Sequence, residues 1–181
     1  MTAITEAYLR FFASYARFAG LVSRICLYLT YFLLVAVTII AVLGVYYRYV
    51  LIDPLQWAEE IARYILIWMT LIGASIAVKE RKHVMLTSLV VRIPESVAIV
   101  IEIVFFLIII FIIGLIANES VIMVFARSAK VISPSLQISM LWAHSALPVG
   151  FALILIQSFY ILFEDIKIII AKESFREKIA V

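Results

Sequence analysis

A chain of 181 residues that is 66% hydrophobic and only 15% charged departs from soluble domains, which carry roughly 25% charged residues; its mean hydropathy of +1.18 marks an integral membrane protein. The formal charge of +3 does not point to nucleic acid, because the lysines and arginines sit beside apolar runs, where they set topology and meet anionic headgroups. A single cysteine, Cys26, excludes an internal disulfide and the paired-thiol chemistry of membrane thiol oxidases, and with no Pro/Gly/Ser-rich linker residues 1–181 read as one domain.

Residues 5–24 come first. Arg10, Arg17 and Arg24 recur every seven positions, so they share one side of a helix, while Leu9, Phe11, Phe12, Tyr15, Phe18, Leu21 and Val22 fill much of the rest. The pattern predicts an amphipathic helix lying in the inner leaflet with its arginines on headgroups or a partner; a cytoplasmic extension of the first span is the alternative. That span is expected over 25–47, ending in the aromatic and basic anchor Tyr46-Tyr47-Arg48-Tyr49. It is long enough to cross a bilayer and starts too late for a cleaved signal peptide.

The second span is expected over 54–79, with Asp53 as N-cap, Pro54 at the first helical position and Gln56 two residues on. Its head, WAEEIARYILIWMT, places Glu59 four residues and Glu60 three residues before Arg63, between Trp57 and Trp68. Two readings fit: a solvated helix head whose ion pairs contribute about 0 to 1 kcal/mol, or charges that face another protein or the lipid beside it. Gly73 and Ala77 form a small-x-x-x-small pair that lets another backbone approach. Beyond Lys79, Arg81, Lys82 and His83 suit headgroups or a partner, and 84–91 suits a second interfacial piece.

The third span is expected over 96–117, entered at Pro94-Glu95, with Glu102 as its inner acid; the fourth is expected over 135–163, entered at Ser133-Pro134 and bent about half-way by Pro148. Counting Lys and Arg beside the spans puts both termini in the cytoplasm. The fold class is therefore an all-α membrane protein of four transmembrane helices preceded by an amphipathic interfacial helix.

Soluble-enzyme chemistry finds no foothold: there is no phosphate loop, dinucleotide fingerprint or metal-spaced His/Cys set. His83 and His144 fall at opposite ends of the spans and cannot ligate one haem, and His144 near Trp142 reads as a packed, hydrogen-bonded residue. An autonomous transport site would need several convergent polar groups and broken helices, and Glu102, Gln137, His144, Gln157 and a bend at Pro148 are too few.

Arg48-Tyr49, then Trp57-x-Glu59-Glu60-x-x-Arg63-Tyr64-x-x-x-Trp68, Gly73-Ala74, His83, Pro94, Pro134 and Pro148-x-Gly150 together resemble the small membrane subunit of tripartite ATP-independent periplasmic (TRAP) transporters, over roughly residues 46–163. The resemblance implies a non-catalytic subunit of a bacterial or archaeal inner membrane, without cofactor or metal of its own. Its partners would be phospholipids, a large elevator-type subunit that carries sodium and an organic acid (dicarboxylate or sialic acid type), and a periplasmic binding protein. Trp57, Glu59, Glu60, Arg63, Trp68, Gly73 and Ala77 would then lie near the large subunit or the lipid between the two. A haem- or quinone-binding anchor of a respiratory enzyme is the alternative.

Overall fold

The structure, a computed structural model, describes residues 3–80 and 94–171. Among these, four helices are long and apolar enough to cross a membrane: α1 (Ala3–Tyr49), α2 (Gln56–Lys79), α3 (Glu95–Ala126) and α5 (Ala146–Ala171). A 3-10 turn at Ser128–Lys130 and the one-turn helix α4 (Leu141–His144) lie between α3 and α5. The expected piece at 84–91, with Arg81, Lys82 and His83, lies outside the described residues.

The residues expected to form two elements, 5–24 and 25–47, form one unbroken helix of 47 residues. No proline interrupts them, and the lone glycines, Gly20 and Gly44, each cost about 1 kcal/mol at most in a helix interior, which packing offsets. The inner half of α1 is bonded to α5: Tyr8 Oη donates to the Phe163 carbonyl at 2.7 Å and Tyr15 Oη to the Ile156 carbonyl at 2.8 Å. Seven residues separate the two phenols on α1, and seven separate their acceptors on α5, in the opposite sense. Phe12 stacking on Tyr160 continues the same antiparallel register.

At Ala19, which is fully buried, α1 changes partners. Its carbonyl accepts from Gln157 Nε2 of α5 at 3.2 Å and from Lys79 Nζ at the end of α2 at 3.5 Å. From there outward α1 lies against α2, through the core of Cys26, Ile72 and Ile76 with Val22, Leu27, Leu33 and Trp68 packed on it, up to Gly44 beside Ala58. Cys26 is thus a small buried apolar residue, as expected of an unpaired cysteine in a core. Helix α5 is central, touching α1, α2 and α3, and the starting end of α1 lies with the finishing end of α5.

Three boundaries differ from expectation. Helix α2 begins at Gln56 after an N-cap at Leu55 that lacks a side-chain bond. Asp53 belongs instead to the end of α1: its amide donates to the Tyr47 carbonyl at 3.1 Å, after Ile52 has turned the chain with φ 56°. Helix α3 runs on to Ala126 because nothing in Asn118–Phe125 breaks a helix. The fourth span starts later than 135. Residues 131–140 are a folded loop, with the Ser133 amide on the Ile138 carbonyl at 2.8 Å, the Met140 amide on the Val131 carbonyl at 2.9 Å and Gln137 at φ 57°. Nor does Pro148 bend α5 half-way. It sits in the first turn, where a missing N–H costs little, and the interruption falls at Ser145, between α4 and α5.

Candidate functional site

The charged head of α2 separates its two glutamates. Glu59 is exposed and pairs with Arg48 Nη2 of α1 rather than with Arg63. Both partners are more than half exposed, 51% and 59%, so the pair contributes at most about 1 kcal/mol. Arg48→Ala is expected to shift the melting temperature of the purified protein by no more than about 2 to 4 degrees.

Glu60, one residue on, points the opposite way and is only 8% exposed. Ser133 Oγ and Tyr64 Oη donate to its Oε1, and the Ser135 amide donates to Oε2 at 3.0 Å. Ser133 Oγ in turn accepts the Leu136 amide at 3.1 Å. A helical position facing the bundle carries the only side-chain type that can accept three donors at once without donating any, and two of its three donors come from a loop 73 and 75 residues away in sequence. Tyr64 is fixed from its other side by Trp142, whose ring meets it edge-on at 4.9 Å. Glu60 thus fastens the 131–140 loop to the head of α2.

Arg63 makes no ion pair with either glutamate despite its favourable spacing from both; it is exposed and lines two adjoining depressions. One is polar, with Gln56 and Ser135; the other is an apolar groove between α1 and α2, with Ile40, Gly44 and Leu66. Trp57 is 38% exposed at the same end, whereas Trp68 packs inward on the Cys26 and Ile72 core. A Cβ built on Gly73 meets no atom within 4 Å, so Gly73 makes no close helix approach among the described residues. The close approach is at Gly150 of α5, where a Cβ would lie 2.5 Å from Leu71 Cβ.

His144 Nδ1 lies 2.8 Å from the hydroxyl of buried Ser128, the packed, hydrogen-bonded role expected of it. Glu102 is buried within α3. Among the described residues no group of three or more His, Cys, Asp or Glu is placed to hold a metal. Sequence reasoning did not assign Tyr64 to Glu60 although it lies at i+4 spacing, nor Ser133, Ser135 and Arg48 to the glutamates. Spacing signals reach only three or four residues along a helix, and these last three partners lie on other elements.

This architecture, four apolar helices with their polar contacts concentrated where α2 meets a loop, defines a multi-pass all-helical membrane protein. A family model described as the DctQ component of tripartite ATP-independent periplasmic transporters matches residues 37–168, and the chain belongs to that family. It is 41% identical over 49 residues to the sialic acid TRAP transporter small permease protein of Vibrio cholerae, covering 27% of this chain and 28% of the relative. Over 62 residues it is 37% identical to a TRAP transporter small permease protein of Haemophilus influenzae, covering 34% of this chain and 38% of that one. The matched stretches thus span well under half of each relative. The haem- or quinone-anchor alternative finds no support in this kinship.

Proposed function

We propose that this chain is the non-catalytic small membrane subunit of a sodium-coupled TRAP transporter for an organic acid, of the sialic acid or dicarboxylate type. It holds the static part of a large elevator-type subunit in the inner membrane and helps form the platform for a periplasmic binding protein. Sodium and substrate are carried by the large subunit, and this chain binds no cofactor. Family membership over residues 37–168 carries the reading, and the charged head supports it. Glu60 is committed to a loop inside the chain, while Arg63 and Trp57 remain exposed at one end of the bundle, as a surface for another subunit or its intervening lipid requires.

Both termini are cytoplasmic in this reading. The Lys and Arg excess lies beside the end where α1 begins and α5 finishes, which puts the α2 head and the 131–140 loop on the periplasmic side. Arg10, Arg17, Arg24, Arg81, Lys82 and His83 then serve headgroups or a partner at the inner face. Gly73 and Ala77 offer a backbone-close contact to the large subunit, and at Gly73 the described residues leave that space open.

The test is co-purification with a large TRAP membrane subunit expressed together with it, with uptake measured in proteoliposomes. Arg63→Glu is the informative variant, because Arg63 holds nothing together within this chain. Reduced recovery of the complex and reduced uptake are expected, with the melting temperature of the isolated subunit unchanged. A complex and uptake equal to wild type would remove Arg63 from the contact, and failure of the wild-type chain to bind would overturn the scaffold reading.

A further inference from the structure

Helix α1 carries an exposed seam that the described part of the bundle touches at its start, where the Phe11 ring meets Phe163 of α5 edge-on at 5.6 Å. Phe11, Ser14, Phe18, Leu21, Ile25, Tyr28 and Phe32 follow one another at alternating steps of three and four and are all exposed. This is the a/d spacing of a coiled-coil face. Arg10, Arg17 and Arg24 each stand one residue before an a position, which is the flanking g position from which charged side chains reach across to a partner helix. All three are exposed, and none has a carboxylate partner among the described residues; Arg17 Nε reaches the Ala13 carbonyl of its own turn. Glu6, one turn before Arg10, makes no ion pair with it among those residues.

Lipid chains can cover the outer part of this seam but not its beginning. Helix α2 is 24 residues long, about 36 Å at 1.5 Å per residue, enough to cross the hydrocarbon with little to spare. Its last residue, Lys79, lies level with Ala19 of α1. Arg10 and Phe11 are therefore about 12 to 14 Å past the level where α2 ends. The Tyr8 and Tyr15 bonds to α5 hold that stretch in line with the rest of the helix. Phe11 is 54% exposed about 12 Å past the level where α2 ends. The three arginines are also spread over about 21 Å of helix, whereas one headgroup layer is roughly 5 to 7 Å deep, so no single lipid surface meets all three.

A second copy of this chain does not complete the seam. A parallel pair sets g against e, occupied here by Tyr15, Val22 and Leu29, which offer no carboxylate. An antiparallel pair sets arginine against arginine.

We infer that the seam from Phe11 to Ile25, with Arg10, Arg17 and Arg24 along its edge, docks an amphipathic helix of a partner protein that carries acidic residues at heptad spacing where it emerges from the inner face of the membrane. This rests on the proposed function in taking the large subunit as that partner. The seam starts outside the family-matched residues 37–168, so it supplies a contact separate from the α2 head.

A spin label on Ser14→Cys, in a Cys26→Ala background, tests it by collision with a water-soluble nickel chelate and with oxygen, in nanodiscs of zwitterionic and of anionic lipid. For the subunit alone the label is expected to be open to the nickel chelate in both lipids. With the large subunit bound it should become several-fold less accessible to both relaxants. The double variant Arg10→Glu/Arg17→Glu, both exposed and outside the core, should bind the large subunit about tenfold more weakly in either lipid.

A label that collides mainly with oxygen in the subunit alone would mean that α1 lies in the bilayer, and would overturn the inference. So would a complex that forms normally but leaves the label as open as before, or a double variant that binds as wild type. In the latter two cases the scaffold reading survives. Absence of any wild-type complex overturns both.

Discussion

Glu60→Ala is expected to be the most destabilising single change at the α2 head of the isolated subunit, because removing one member of a charged hydrogen-bond set leaves its partners unsatisfied. Three donors lose their acceptor together: the Ser133 hydroxyl, the Tyr64 hydroxyl and the Ser135 amide. The first of these is fully buried. The loss should concentrate in the 131–140 loop, which Glu60 joins to the head of α2. Proteolytic cleavage there should accelerate before the helices melt. Glu60→Gln should fall between, because the amide keeps one accepting oxygen but turns an N–H toward donors. Tyr64→Phe, which removes one of three donors, should cost about 1 kcal/mol. Thermal melts and limited proteolysis of the detergent-solubilised subunit separate these outcomes. Equal melting of Glu60→Ala and wild type would show that the carboxylate does not hold the loop. In a transport assay, loss of uptake in Glu60→Ala is then ascribed to the displaced loop, whereas Arg63→Glu acts on a side chain without a structural duty.

The four helices were legible because length and unbroken hydropathy are properties of a stretch taken alone. Their ends were less so. Val131, Ile132, Leu136 and Ile138 are as apolar as a span, and only the Glu60 contacts and the left-handed Gln137 reveal a loop there. The same limit applies at the site. Glu59, Glu60 and Arg63 stood out as unusual, but i to i+4 spacing favoured pairing among themselves. Three-dimensional packing instead gave Glu59 to Arg48, eleven residues away, and Glu60 to Ser133. The long α1 was masked by its own amphipathic start: heptad arginines fit a helix lying on a membrane as well as one flanking a protein seam. The bonds from Tyr8 and Tyr15 to α5 hold that start in line with the rest of α1, and no local pattern encodes them.

The second large effect is expected at Gly150. Helices α2 and α5 meet so closely there that a Cβ on Gly150 would fall 2.5 Å from Leu71 Cβ and 3.1 Å from its Cγ and Cδ1. The nearest atom is the root of the leucine side chain, which a rotamer change cannot move, so Gly150→Ala forces the helices apart. Overpacking of this kind costs about 1 to 3 kcal/mol, and Gly150→Val should exceed it. The displacement is not confined to one contact. Three residues along α5, Leu153 packs on the Cys26, Ile72 and Ile76 core, and a further turn on, Gln157 makes the bond to Ala19 that joins α1 to α5. Both would be pulled from register. Leu71→Ala does not relieve the clash, since alanine keeps the offending Cβ; Leu71→Gly combined with Gly150→Ala should recover part of the lost stability, beyond the sum of the two single changes. Melting of the four proteins in one detergent gives that coupling. Additive behaviour would mean that the approach at Gly150 is looser than the geometry requires, while a positive coupling would identify it as the point at which α2 and α5 are set against each other.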